Sequence, residues 1–180
     1  VLDPTLLLSR DYWNTKIQSV GRKFINEKYI LVYQLHNNQG MDVYAHQLAK
    51  EKKMRLIRVS PSLHQIARKG HFIYCPDPFA FLCLLANAEC LVTDSFHGTA
   101  FAINLNVPFI EVLPENGTSS RNVSILKLTG LSNRILTDKR DYQLFDNKID
   151  FRKINQIIDN ERDRSISILE SMLGSVEALH

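Results

Sequence analysis

The sequence predicts an α/β fold, a doubly wound and mostly parallel sheet of about five or six strands with helices on both faces. Two observations support this prediction. Apolar stretches rich in β-branched and aromatic residues alternate with helical patterns, and the connections between them are short. The strand segments are continuous apolar runs rather than period-two alternations, which is typical of parallel strands covered by helices on both sides.

Helical patterns separate the predicted strands, and capping residues mark some helix ends. Asp77 and Pro78 suit the N-cap and first turn of one helix, and Gly130 suits the C-terminal cap of another. The predicted strands cover residues 29–35, 54–60, 71–75, 89–94, 108–113 and 134–136. The predicted helices cover residues 11–27, 41–52, 78–88, 96–105, 122–129 and 151–174.

Composition and charge disfavour several classes of protein. The chain has 180 residues, 44% hydrophobic and 23% charged, which fits one globular domain or half of a two-domain protein. Its net charge of +3 is spread without a basic cluster, so nucleic acid is not an expected partner. No apolar run reaches the ~20 residues that span a bilayer, and the first residues lack the features of a signal peptide. We therefore expect a cytoplasmic protein without a membrane span.

The cysteines and histidines do not indicate a metal or redox site. Cys75, Cys83 and Cys90 have no CxxC spacing, and each lies in an apolar segment. We expect all three to be buried, reduced thiols. No spacing of Asp, His and Cys resembles a metal-ligand set, so neither a metal nor another cofactor is expected.

The run TDSFHGTAF, residues 93–101, stands where a buried strand becomes a helix. Ligands of doubly wound sheets bind outside the carboxyl ends of the strands, and a helix N-terminus there attracts anions. Ser95 and Thr99 can donate hydroxyl hydrogen bonds, Gly98 allows a close approach to the backbone, and His97 is titratable. The run therefore suits a phosphate or carboxylate. The alternative is an ordinary turn in which Asp94 or Ser95 caps the helix.

The string TDSFHGTAFAINLNVPFI, residues 93–110, resembles a run typical of the polysaccharide pyruvyl transferase family. Further segments resemble that family in the same order: VLDPTLLL followed by Trp13, KYILVYQL, PFAFLCLLANAECLVTDSFHG and SSRNVSILKLTGLSNR. The resemblance covers about residues 1–136 and is most specific over residues 78–134. Members of this family are considerably longer than 180 residues and are similar in architecture to two-domain glycosyltransferases of the GT-B type.

The resemblance implies that the chain is the C-terminal, Rossmann-like half of a GT-B-type fold. Residues 1–28 would be an opening segment and a helix that lead into the domain. Residues 29–150 would be the donor-binding domain, and residues 151–180 a long C-terminal helix. We expect an N-terminal acceptor domain of the same protein to be missing from this chain, which leaves open whether the fragment alone is active.

The resemblance also implies an activity, the transfer of pyruvate from phosphoenolpyruvate onto two hydroxyls of a sugar in exopolysaccharide biosynthesis. Phosphoenolpyruvate would be the donor substrate, and a polysaccharide or its precursor the acceptor. By position, His97 would contact phosphate or act as a general acid, and Arg121 would clamp an anion. Several members carry Arg where Ser95 stands here. The residues placed at the substrate besides His97 and Arg121 are Ser95, Gly98, Thr99, Ser120, His36 and Asn37.

Two other functions fit parts of the pattern. The chain could be the donor half of a nucleotide-sugar glycosyltransferase, for which Glu115 is the nearest candidate to bind a ribose. It could also be a non-catalytic module that binds a phosphorylated ligand. Among single residues, His36 and Asn37 could form an ordinary turn. We expect a partner within the fold for Arg134, and an Asp-Pro turn rather than a cleft contact for Asp3.

Overall fold

The protein is described by a computed structural model over residues 1–19, 26–114 and 119–177. Five parallel strands form one sheet in the order β3-β2-β1-β4-β5. The strands are β1 (Tyr29–Tyr33), β2 (Arg55–Ser60), β3 (His71–Tyr74), β4 (Cys90–Thr93) and β5 (Phe109–Glu111). The helices are α1 (Pro4–Leu7), α2 (Arg10–Ser19), α3 (Gln39–Glu51), α4 (Pro78–Ala86), α5 (Phe96–Leu105), α6 (Ser120–Thr129) and α7 (Phe151–Glu177).

Successive residues of the strands enter two separate cores, one on each face of the sheet. Ile30 and Val32 pack with α3 on one face. Tyr29 and Leu31 pack on the other with residues of α1, α4, α5, α6 and α7. Because both faces are covered, β1, β2, β4 and β5 are buried along nearly their whole length, as their apolar runs predict, whereas the edge strand β3 is partly exposed. The doubly wound α/β fold is confirmed.

The direction of winding reverses between β1 and β4, which makes their carboxyl ends the switch point of the sheet. Their register pairs Val32 with Val92 and Tyr33 with Thr93, so the two strands end side by side. The loops after β1 and β4 leave this point toward opposite faces, α3 on one side and α5 on the other. The sequence run that suits an anion therefore begins at the switch point.

The predicted caps are confirmed. The carboxylate of Asp77 accepts hydrogen bonds from the backbone of Phe79 and Ala80, with Pro78 in the first turn of α4. Gly130 ends α6 in the left-handed conformation, with φ of 71°.

The predicted strand at residues 134–136 is wrong. Arg134 ends a short 3₁₀ turn, Ser132–Arg134, and Ile135 makes an isolated bridge to Glu111. The guanidinium of Arg134 is buried and donates to the carbonyls of Phe109, Leu144 and Asn147, which confirms a partner within the fold and fixes this segment as a turn.

The expected helix over residues 11–27 and the expected burial of the three cysteines are each found only in part. The expected helix over residues 11–27 is α2, Arg10–Ser19; its predicted apolar positions Val20, Phe24 and Ile25 lie outside the described residues. Cys83 and Cys90 are buried as expected, but Cys75 is exposed. It follows the edge strand β3 with φ of 38°, in a turn that carries the chain away from the sheet.

Candidate functional site

The turn after β4 is held by hydroxyl groups inside the fold. The Thr93 hydroxyl donates to the Tyr33 carbonyl at 2.7 Å and accepts from the Ser95 amide at 3.0 Å. Ser95 is the N-cap of α5, and its hydroxyl accepts from the Gly98 amide at 3.3 Å. These contacts tie the first turn of α5 to the ends of β1 and β4, so the side chains that it carries have fixed directions.

Asp94 joins the two loops at the switch point. Its buried carboxylate accepts hydrogen bonds from the Leu35 amide at 2.7 Å and from the His36 amide at 2.9 Å. The His36 Nδ1 atom lies 3.1 Å from the same carboxylate. The structure therefore places His36 beside the turn that carries His97, where it is held by Asp94.

Ser95, Gly98 and Thr99 all lie inside the fold. Ser95 and Thr99 are buried, and the Thr99 hydroxyl lies within hydrogen-bond distance of two acceptors, the carboxylate of Glu111 and the Ser95 carbonyl. The amides of Gly98 and Thr99 already donate to Ser95. A Cβ atom on Gly98 would lie 2.7 Å from the Thr93 hydroxyl, so this glycine allows the helix to approach the sheet rather than a ligand to approach the backbone.

The outward face of the same turn carries Phe96 and His97. His97 is 53% exposed, and its Nε2 atom lies 3.9 Å from a carboxylate oxygen of Asp3. Arg121, from the first turn of α6, donates to the same oxygen at 2.7 Å and is 56% exposed. Its guanidinium lies 4.0 Å from the centre of the Phe96 ring, within cation–π range. Two residues that are far apart in sequence, His97 and Arg121, thus meet at one point.

Asp3 supplies the negative charge between these two residues. Its other oxygen accepts from the amide and the hydroxyl of Thr5, which makes Asp3 the N-cap of α1. Partial burial would raise the pKa of this carboxyl, but the Thr5 hydrogen bonds and the charges of His97 and Arg121 outweigh it and lower the pKa. Asp3 forms the expected Asp-Pro turn and also contacts the candidate site, which the sequence did not predict.

Two cavities flank the Phe96–His97 pair. A groove of about 410 Å³ is bordered by Asp3, Phe96, Ser120 and Arg121 together with apolar residues of α1 and α6. A more apolar crevice of about 300 Å³ lies across His97 at the ends of β1, β2 and β3. Its lining includes Tyr33, Cys75, Phe81, His97 and Phe101. His97 therefore stands between a groove with a cationic rim and an aromatic crevice.

Asn37 is turned toward a different group of charges. Its amide oxygen accepts from Arg68 at 2.7 Å. Arg68 also pairs with Asp42 at 2.9 Å, and the buried Arg58 lies 3.0 Å from the other oxygen of Asp42. The structure thus assigns Asn37 to a network on the α3 side of the sheet, away from His97 and Arg121. The strand sequence RLIRVS holds Arg58, but nothing in its pattern indicates a buried guanidinium.

A buried carboxyl lies directly behind the site. Glu111, the last residue of β5, has no exposed surface and accepts hydrogen bonds from the Thr99 hydroxyl and the Asn122 amide. Burial raises the pKa of this carboxyl to about 7, against the opposing effect of the two hydrogen bonds. Sequence reasoning missed it because an acidic residue ending a short strand ordinarily points into solvent.

The described part of the chain contains neither a cluster of three metal-ligating side chains nor a helix long and apolar enough to cross a membrane. Glu115, the candidate for a ribose contact under the glycosyltransferase alternative, lies outside the described residues.

Comparison with known proteins identifies the family. A sequence model of the polysaccharide pyruvyl transferase family matches residues 1–116, which include Asp3, His36 and the whole turn from Asp94 to Thr99. The chain belongs to the polysaccharide pyruvyl transferase family. Arg121 lies just beyond the matched residues, so its place at the site comes from the structure.

Other comparisons are more distant. A search of the curated proteins found no match to this chain. It is similar in structure to a UDP-GlcNAc 2-epimerase from Neisseria meningitidis bound to UDP-GlcNAc, with a TM-score of 0.47 and 15% identity over 89% of this chain and 48% of that one. A putative UDP-N-acetylglucosamine 2-epimerase from Listeria monocytogenes gives a TM-score of 0.49 and 16% identity, over 88% of this chain and 42% of that one. The chain spans less than half the length of each.

Proposed function

We propose that this chain binds phosphoenolpyruvate as the donor half of a pyruvyl transferase that forms a cyclic ketal on a sugar. The observation that carries the proposal is the convergence of His97 and Arg121, both more than half exposed, on one carboxylate oxygen at the rim of a groove. A site that holds the carboxylate of Asp3 in this way has the chemistry to hold a carboxylate or phosphate of a ligand.

The reaction defines what such a site has to supply. Carbon 2 of phosphoenolpyruvate forms two bonds to sugar oxygens, loses its bond to the phosphate oxygen, and its double bond to carbon 3 becomes a single bond. The two sugar hydroxyls lose two protons in total; carbon 3 gains one, and the other leaves with the inorganic phosphate. The site must therefore bind two anionic groups, provide an acid near carbon 3 and accept protons from the sugar.

Arg121 and Ser120, which border the groove, and the neighbouring His97 can supply the anion contacts and the acid. Arg121 offers a planar guanidinium, held against Phe96, for a bidentate contact with phosphate or carboxylate. His97 can contact the phosphate or act as the acid. Ser120 borders the same groove at the start of α6, where backbone amides favour an anion. His36 and Asn37 stay predicted substrate contacts, but neither borders this groove, and Asn37 contacts Arg68 on the α3 side of the sheet.

Calorimetric titration of the chain with phosphoenolpyruvate tests the proposal. The Arg121→Ala variant removes a charged hydrogen-bond donor, worth roughly 1.5–3 kcal/mol, so we expect binding weaker by about 10- to 100-fold. The His97→Ala variant is expected to weaken binding as well. Arg152→Ala and His46→Ala remove the same side chains from exposed positions on α7 and α3 and should leave binding unchanged.

A variant of Asp3 sharpens the test. Asn at position 3 can still cap α1, but it removes the negative charge that occupies Arg121. We expect Asp3→Asn to bind phosphoenolpyruvate several-fold more tightly. Equal affinity in wild type and in the Arg121 and His97 variants would refute the site. Binding of a nucleotide sugar in place of phosphoenolpyruvate would favour a glycosyltransferase donor domain instead.

Catalysis itself needs a second measurement. In a longer form of the protein, inorganic phosphate should be released from phosphoenolpyruvate only when a carbohydrate acceptor is present. Phosphoenolpyruvate binding without acceptor-dependent phosphate release would point to a non-catalytic module that binds a phosphorylated ligand.

A further inference from the structure

Glu111 connects the two helices that carry the proposed site. One of its carboxyl oxygens contacts the hydroxyl of Thr99 in the first turn of α5, two residues from His97. The other accepts from the Asn122 side-chain amide at 2.6 Å, in the first turn of α6 and next to Arg121. Glu111 has no exposed surface, so both contacts lie inside the fold. One buried side chain therefore links the first turns of α5 and α6.

The contacts around Thr99 allow two hydrogen-bond patterns. When Glu111 is ionised, both of its oxygens accept, and the Thr99 hydroxyl donates its proton to the carboxylate. When Glu111 is protonated, its own hydroxyl can donate to Thr99, and the Thr99 hydroxyl then donates to the Ser95 carbonyl, 3.2 Å away. Ser95 is the N-cap of α5, so the proton on Glu111 is linked to the turn that presents His97.

Burial and one nearby charge act on Glu111 in the same direction. Asp94, buried at the end of β4, raises the pKa of Glu111, in addition to the larger effect of burial. The elements next to β5 carry the following charged or titratable side chains: Asp94 after β4, His97 on α5, Arg121 and Lys127 on α6, Arg134 in the 3₁₀ turn, and Asp141 at the start of the 3₁₀ turn Tyr142–Phe145. Arg134 is engaged by three backbone carbonyls, and the hydrogen bonds that Glu111 receives come from the neutral side chains of Thr99 and Asn122.

We propose that Glu111 is a positioning residue that takes up a proton when an anion binds at His97 and Arg121. An ionised Glu111 repels an anion held at the first turns of α5 and α6, whereas a neutral Glu111 keeps both helix contacts through the second hydrogen-bond pattern. Anion binding and protonation of Glu111 thus favour each other. This inference rests on the anion site of the proposed function and adds that the affinity of this site for an anion depends on pH.

The test compares wild type with Glu111→Gln. Gln keeps an oxygen that accepts from Asn122 and supplies an N–H that donates to Thr99, so it mimics the protonated residue. Dissociation constants for phosphoenolpyruvate are measured from pH 6 to pH 9 for both proteins. The ratio of the two dissociation constants at each pH removes the effect of the ligand's own titration, which is the same for both proteins. We expect a ratio near one at pH 6 and wild-type binding about tenfold weaker than that of the variant at pH 9.

Two further measurements separate the possible outcomes. Calorimetry in buffers of different ionisation enthalpy should show more proton uptake on binding near pH 7 in wild type than in Glu111→Gln. The amide resonance of Thr99 in the protein without ligand should titrate near neutral pH in wild type and not in the variant. A ratio that is independent of pH, with both proteins binding phosphoenolpyruvate, overturns the role of Glu111 and leaves the proposed function standing. Failure of both proteins to bind at any pH overturns the anion site and this inference with it.

Discussion

Replacing Gly98 with Ala tests how closely α5 is fitted to the end of the sheet. The added Cβ atom would lie 2.7 Å from the Thr93 hydroxyl and 3.1 Å from a ring carbon of Tyr33. The Thr93 hydroxyl cannot easily move, because it donates to the Tyr33 carbonyl and accepts from the Ser95 amide. The helix must therefore move away from the sheet, together with the turn that carries His97.

The size of the effect follows from two opposing contributions. Overpacking a well-packed core costs about 1–3 kcal/mol, and the upper part of this range applies because the nearest atom belongs to a fixed hydrogen-bonded group. Replacing glycine with alanine inside a helix returns up to about 1 kcal/mol. We expect the free energy of unfolding of Gly98→Ala to fall by about 2 kcal/mol, measured by urea denaturation of the chain.

The matched control is Gly40→Ala. Gly40 is the second residue of α3, and a Cβ atom there would meet the side chain of Lys139, which is exposed and can move. This variant should be as stable as wild type or slightly more stable. A double-mutant cycle adds a second check, because Gly98→Ala should cost less in a Thr93→Ala background, from which the obstructing hydroxyl has been removed. Full stability of Gly98→Ala in the wild-type background would refute the packing argument.

Two other measurements probe buried and exposed groups. Since burial raises the pKa of Glu111 from its ordinary 4.5 to about 7, the folded protein holds an extra proton between these pH values, and its stability should fall as pH rises through this window. Relative to Glu111→Gln, wild type should lose roughly 3 kcal/mol between pH 4 and pH 8, and a constant difference in urea unfolding would contradict this. A thiol reagent should modify Cys75 rapidly, and Cys83 and Cys90 only on unfolding, because these two are buried and burial raises the pKa of the Cys90 thiol to about 12. Rapid modification that persists in Cys75→Ser would contradict the assignment.

Much of the fold was predictable because its apolar runs have the length and continuity of buried parallel strands. The helix Phe96–Leu105 was predicted with the bounds that the structure shows, since a capping residue precedes it and a polar Asn106 follows it. The error at residues 134–136 has a physical cause. The guanidinium of Arg134 donates hydrogen bonds to backbone carbonyls, including that of Phe109, which lies 25 residues away. No local sequence pattern predicts a contact over that distance.

The candidate site was predictable only in part, because its charges come together through the fold. His97 and Arg121 were identified from their motifs, but their shared partner Asp3 lies 94 residues before His97 along the chain. An Asp-Pro pair predicts a turn, and the structure shows that the same carboxylate serves both the turn and the site. Glu111 was missed for the opposite reason: its polarity predicts exposure, and only tertiary packing makes it an internal residue.

Helical geometry explains why some residues of the run Ser95 to Thr99 pack against the sheet while His97 faces a cavity. With Ser95 as N-cap, Gly98 and Thr99 lie on the face of α5 that meets the sheet, and both are buried. His97 and Phe101, four residues apart, share another face and line the same crevice. Substitutions on the inward face should therefore change stability together with ligand affinity. A change at His97, whose exposed ring supports no core contact, should alter affinity alone. This separation distinguishes a ligand-binding role for His97 from a structural one, since loss of stability in His97→Ala would place it with Ser95 and Thr99.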